Sequence, residues 1–175
     1  MKNTLLKITG AAIIALLTFS LFTQTWVSAQ EANSKGQAPE SLFEGKGARV
    51  LEGAWSVQVT LRVCQTGVPI RTFPRMNTFM QGGTMQEFAA AGPPSLRGPG
   101  QGIWSHSDER NFTYAIHFLR FAADGTFNGS VRERRSVEVN PDGSTYNATG
   151  TGEVFDANGN LIVTTCATEA GTRFE

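Results

Sequence analysis

The sequence predicts an all-β fold, an eight-stranded antiparallel up-and-down (meander) β-barrel, and three observations lead there. Three turn tripeptides, Ala123-Asp124-Gly125, Pro141-Asp142-Gly143 and Ala157-Asn158-Gly159, stand 18 and 16 residues apart. Asp-Gly and Asn-Gly pairs suit the positive φ angles of tight hairpins. The stretches between them alternate apolar and polar side chains, so the turns join four long strands in series. Upstream, Leu51, Gly53, Trp55, Val57, Val59, Leu61 and Val63 take every second position, with Glu52, Ala54, Ser56, Gln58, Thr60 and Arg62 between them. That period of two marks a strand with one buried and one wet face.

Before the barrel comes a leader. Lys2 and Lys7 precede a mostly apolar run from Ile8 to Phe22, and Val27-Ser28-Ala29 offers the small residues that signal peptidase reads. The run is 15 residues long, short of the roughly 20 that span a bilayer as a helix. Cleavage after Ala29 is expected, with no Cys following to carry a lipid anchor. The mature chain is therefore expected to be secreted or periplasmic, without membrane insertion. Residues 1–29 are read as a signal peptide, 30–48 as a flexible N-terminal segment and 49–175 as the barrel domain. The segment 30–48 is rich in Gln, Glu, Gly, Ser and Ala, with Leu42 and Phe43 as a short lid or helical turn.

Removing the leader leaves 146 of the 175 residues and changes the charges from 15 of each sign to 13 positive against 15 negative, a net of −2. A near-neutral surface argues against nucleic-acid binding and against a polybasic membrane role. No Lys follows Lys46, so later positive charge is carried by Arg.

The remaining strands follow in order. A turn at Gln65-Thr66-Gly67 leads to a second strand over 71–80, where Pro69 and Pro74 suggest an edge, usable for association, or a bulge. Gly82-Gly83 turns into a short third strand over 84–90. Residues 91–100 hold three Pro and three Gly and read as a loop. Strands over 101–106, 112–121, 126–139, 144–155 and 161–168 complete the set. Long strands in a meander tend to coil and close, since closure removes both sheet edges. An eight-stranded barrel either fills with side chains or holds one small ligand. A two-sheet sandwich is the alternative, but its crossing connections fit these sequential turns less well.

Cys64 and Cys166 are 102 residues apart, one near the end of the first strand and one within the last. In a closed sheet those strands are neighbours, so a disulfide would staple the closure and remove on the order of 4–5 kcal/mol of unfolded-chain entropy. Two buried free thiols are the alternative.

Gly53-Ala54-Trp55, opening the first strand of an eight-strand meander, resembles the Gly-x-Trp signature of lipocalins and related calycins. The resemblance extends as strand count and order from about residue 51 to 174. It implies that Trp55 plugs the closed end of the barrel and that an Arg near the last strand, here Arg173, stacks on it. The family's Asp-containing loop motif is not recognisable, and no helix is expected after the last strand. The turn-rich run from Phe121 to Phe127 also resembles allene-oxide-cyclase-like and dirigent-like barrels, which share the architecture.

Candidate chemistry is sparse. His106 and His117 fall on adjacent strands, where they might pair across the ladder, but no clustered ligand spacing accompanies them. Three Asn-x-Ser/Thr matches, at Asn111, Asn128 and Asn147, carry little weight in a chain this rich in Asn and Thr. The fifth strand puts Phe112, Tyr114, Ile116 and Phe118 on one face, either as core or as the wall of an apolar cavity. On the sixth, taking Phe127, Gly129, Val131, Val137 and Val139 as inward turns Glu133 and Arg135 inward too, where they must pair. A bulge between Ser130 and Ser136 would instead turn both charges outward.

The reading that results is an exported barrel binding a small apolar or amphipathic molecule without catalysis. Trp55, Tyr114 and Phe118 would line it, Glu133 and Arg135 would anchor polar groups, and no cofactor or metal is expected. An allene-oxide-cyclase-like isomerase or cyclase and a filled barrel that binds another protein are the alternatives.

Overall fold

A computed structural model describes residues 48–174, so the leader and most of the N-terminal segment, including Leu42 and Phe43, lie outside the described residues. Eight antiparallel strands follow in meander order: β1 (Gly53–Arg62), β2 (Pro69–Met80), β3 (Thr84–Ala89), β4 (Gly100–Asp108), β5 (Asn111–Phe121), β6 (Phe127–Val139), β7 (Thr145–Phe155) and β8 (Leu161–Arg173). They close into a barrel, with β8 returning to pair with β1. Two single 3₁₀ turns, Ala48–Val50 and Pro94–Leu96, are the helical elements among the described residues. The predicted strands are all present; the largest difference is β8, which continues five residues further to Arg173.

Pro74 of β2 is placed where its missing N–H does no harm, and Pro69 opens the strand at a register shift against Arg62. Pro74 stays in register opposite Gln58 of β1, and its carbonyl accepts from Ala90 N just beyond the last β3 pair, Arg75 with Ala89. Its nitrogen therefore faces a side where the β3 ladder has already ended. From Arg75 onward β2 is paired on both sides.

The three hairpin turns share one solution. Gly125, Gly143 and Gly159 have φ of 85°, 73° and 85°, while the Asp or Asn before each stays at negative φ. A two-residue type I′ turn needs two successive positive angles; one αL glycine belongs to the longer loops built on a type I turn. Asp124, Asp142 and Asp156 each accept a hydrogen bond from the backbone N–H two residues on, at 2.7–2.9 Å. Backbone and side-chain donors of Thr126 hold the Asp124 carboxyl below its ordinary pKa, and side-chain and backbone donors of Ser144 and Asn160 do the same for Asp142 and Asp156.

Two ends of the barrel can be distinguished. At the closed end Trp55 is fully buried, meets Tyr146 edge-on at 5.0 Å and donates from Nε1 to Leu51 O at 2.9 Å. Arg173 stacks over its ring at 4.3 Å, as the family resemblance implies. The same guanidinium donates to the carbonyls of Val50, Glu52 and Gly143, so it joins the entry segment, the indole and the β6–β7 turn. Phe79, Trp104 and Phe112 extend the ring cluster. At the open end, a Cys64–Cys166 disulfide ties the chain just past β1 to β8, with Cα atoms 5.1 Å apart.

Gly53 explains the first residue of the Gly-x-Trp pattern physically. Its φ is +119°, and a Cβ there would lie 2.9 Å from Arg173 Nη1. Gly67, at φ +71°, has nothing within 4 Å of an added Cβ. Gly53→Ala is therefore expected to destabilise the fold within the ~1–3 kcal/mol range of a strained backbone, and Gly67→Ala by only ~1 kcal/mol. Equal losses in urea unfolding would contradict this account of the closed end.

Candidate functional site

The inward positions of most barrel strands alternate as expected for an apolar core, until they reach the middle of the lumen. There the inward series of β2 reads Phe73, Arg75, Asn77, Phe79; that of β3 reads Met85, Glu87, Ala89; that of β6 reads Val131, Glu133, Arg135, Val137, Val139; that of β8 reads Ala167, Glu169, Gly171. All of the charged members are buried. On β6 the bulge lies elsewhere than between Ser130 and Ser136. The register shifts where Arg120 faces Gly129 but Phe121 faces Phe127. Gly129, at φ +108°, absorbs it; Phe127 is consequently exposed, and Glu133 and Arg135 remain inward.

Arg75 is the hub. It reaches across the lumen from β2 to β6, four strands away, and donates from Nη2 to both Glu133 oxygens at 3.0 and 2.8 Å. Its Nη1 donates to Glu169 Oε1 at 2.8 Å, and its Nε lies 3.4 Å from Glu87 Oε2. Arg135 closes the circuit, with Nε to Glu169 Oε1 at 3.1 Å and Nη2 to Glu133 Oε2 at 3.0 Å. Its Nη1 is spent on the carbonyls of Thr151 and Arg134. The Tyr114 hydroxyl donates to Glu169 Oε2 at 2.6 Å. Deeper in, Asn77 Nδ2 donates to the Tyr146 hydroxyl at 2.9 Å. Five strands thus contribute to one ionic layer whose planar guanidinium forks each serve two or more carboxylate oxygens.

Protonation follows from that geometry. Burial alone would raise the Glu133 carboxyl, but Arg75 and Arg135 outweigh it and hold it below its ordinary 4.5. Burial works against the Arg75 charge as well, yet Glu133 and Glu169 keep that guanidinium well above its ordinary value. Burial and the Glu169 charge push Tyr114 well above 10, so it stays a protonated donor.

Trp55 and Val139 at the closed end are 0% exposed, whereas Phe73, Val131 and Glu133 are 8% and Phe118 9%; Val59, opposite Phe73 in the β1–β2 register, is also 0%. Phe73, Val131, Glu133 and Phe118 face the open mouth. Over it lies Arg97, from the loop between β3 and β4. Its guanidinium sits 3.6 Å above the Phe118 ring centroid and pairs with Glu87, Nη1 to Oε2 at 3.3 Å and Nη2 to Oε1. Gly100 makes room for that carboxylate, since a Cβ there would come within 2.5 Å of it.

Of the residues singled out from sequence, Glu133, Arg135 and Tyr114 meet through Glu169 in the ionic layer, and Phe118 stands beside them at the mouth. Trp55 stands apart at the sealed end. Arg75, Glu87, Arg97 and Glu169 were not singled out, although the inward parity of three of them was readable. His106 faces Phe112 and His117 faces Gln101 across β4 and β5, so the histidines do not pair. Among the described residues no group of His, Cys, Asp and Glu is placed to hold a metal ion. A concavity of about 750 Å³ is lined by Gln58, Thr60, Asn147, Thr149 and Thr168 with Arg62 and Glu138. Short neutral side chains line much of it, so the concentrated polar chemistry is in the lumen.

No family model matches the chain, and no curated protein is significantly similar to it in sequence.

The depressed Glu133 sets a sign for acid stability. Stability from its pairing is fully present above the unfolded-state value and is lost as pH falls through the lower folded one. Denaturant midpoints should therefore fall as pH is lowered from about 6 through the usual carboxylate range, roughly pH 4. Glu133→Gln should flatten that fall while lowering the midpoint at pH 6. An acid limb of unchanged slope in the variant would contradict the assignment.

Proposed function

We propose that the protein is an exported, lipocalin-like (calycin-type) barrel that binds one small amphipathic molecule at its open mouth, without catalysis. The observation that carries the reading is the asymmetry of the lumen. One end is stoppered by Trp55 and Arg173. The other ends in a floor of paired charges beneath Phe73, Phe118 and Val131, which at 8–9% exposed are less deeply buried than the ring cluster at the closed end. A ligand entering head-first would set its polar group near Glu133 and Arg135 and its apolar body against Phe73, Phe118 and Val131. Exposed Val68, Ile70, Leu161 and Val163 continue that apolar surface outward at the rim. Trp55 and Tyr114 then act from below, as the stopper and as the donor that fixes Glu169.

Export is supported by the apolar run from Ile8 to Phe22 and by the disulfide, which suits an oxidising compartment. The Gly53, Trp55 and Arg173 constellation supports the lipocalin-like assignment.

Native mass spectrometry of the mature protein purified from its own host tests the reading. A co-purifying lipid-sized mass is expected, reduced about tenfold in occupancy or more by Phe118→Ala, on the scale of losing one buried ring contact. A barrel that is empty and also ignores a panel of amphiphiles would overturn it.

A further inference from the structure

We infer that the mouth of the barrel is a site for an organic cation, a guanidinium or alkylammonium group, and that Arg97 is a built-in occupant which such a ligand displaces. The inference rests on the proposal above that the mouth is the binding site, and adds the charge of the ligand.

Three observations carry it. The first is charge balance. Arg75, Arg135 and Arg97 face Glu87, Glu133 and Glu169 within one connected set of ion pairs, three against three. Arg75 and Arg135 are embedded in the layer from barrel strands, but Arg97 comes from a loop. Withdrawing it leaves three carboxylates against two guanidinium groups, a net of −1 in a lumen shielded from water. An uncompensated buried carboxylate is strongly unfavourable, so the vacated position demands another cation.

The second is the shape of the position. The Arg97 guanidinium lies over the Phe118 ring while its fork meets the Glu87 carboxylate, which is how an aromatic face and a carboxylate together recognise an organic cation. The space it takes is that of a propylguanidinium group, and its side chain is 10% exposed.

The third is that Arg97 fits imperfectly and is lightly tethered. Its Nε is buried yet makes no hydrogen bond among the described residues. Around it the loop is held by Gly98 N to Leu119 O, a single bridge from Arg97 to Arg120, Ala90 N to Pro74 O and the Arg71 side chain on Ala91 O. Displacing Arg97 returns that Nε to water, so a cationic ligand that pairs with Glu87 competes with a group that leaves one of its own donors unmet.

The test is calorimetric titration of the mature protein with octylguanidinium, octanoate and octanol, each below its micelle concentration. Octylguanidinium is expected to bind the wild type, and Arg97→Met, which keeps an apolar stem and removes the competitor, to bind it about tenfold more tightly. Adding Glu87→Gln to Arg97→Met should abolish that gain. If Arg97→Met does not fold by circular dichroism, Arg97→Lys, whose ammonium lacks the planar stack, should shift affinity in the same direction. Octanoate or octanol binding as tightly as octylguanidinium would overturn the cation assignment while leaving the mouth as a binding site. No binding of any of the three to any folded variant would overturn both.

Discussion

A charge buried in a narrow barrel must find its counter-charge inside the barrel, and Arg75 is the residue that imposes this condition here. Its side chain is essentially removed from water and touches three carboxylates that come from β3, β6 and β8. Desolvating a guanidinium and a carboxylate costs several kcal/mol each, recovered only when the geometry is good and every fork is used. The barrel meets most of that demand by making the layer continuous, with Arg75 Nε, 3.4 Å from Glu87, the one donor of that guanidinium left without a hydrogen bond among the described residues. Arg135 bridges two of the same carboxylates, and Tyr114 takes the remaining oxygen of Glu169. A strand slipped by one residue would turn its charged members into solvent and strand their partners, so the layer also fixes register.

Other features of the chain make sense as accommodations to that layer. Glycines appear where the lumen is crowded: Gly100 beside Glu87, and Gly171 beneath the ring of Tyr146. The barrel uses Arg throughout and no Lys after Lys46, which suits positions where one cation must satisfy several carboxylate oxygens at once. The closed end repeats the device on a smaller scale, since Arg173 serves one ring and three carbonyls. The interior therefore has two distinct regions, an aromatic stopper that is dry and an ionic floor below a mouth that is less so.

Much of the fold was legible because β-structure writes itself locally: hairpin glycines mark the turns and period-two alternation marks the faces. The disulfide was legible once closure made β1 and β8 neighbours. Strand β8 read short because Glu169 and Gly171, both inward, break the apolar series that identifies a buried face. The same masking hid Arg75 and Glu87, which look like solvated charges until their parity is compared with Phe73, Phe79, Met85 and Ala89. On β6 two readings competed, and Gly129 decided between them by taking the bulge before the charges rather than among them. Arg97 was illegible for a different reason. It sits in a Pro- and Gly-rich loop, and only closure of the barrel determines that the loop's side chain hangs over Phe118 and Glu87.

One coupled ionic layer centred on Arg75 organises the lumen. A double-mutant cycle on Arg75→Met and Glu169→Gln, read by urea unfolding of the mature disulfide-bonded protein, tests it most directly. Each single change is expected to destabilise by about 3–5 kcal/mol, because it leaves a buried partner uncompensated. The double variant should be more stable than their sum by ~1–3 kcal/mol. Two effects that add to within ~0.5 kcal/mol, the behaviour of independent sites, would contradict the account.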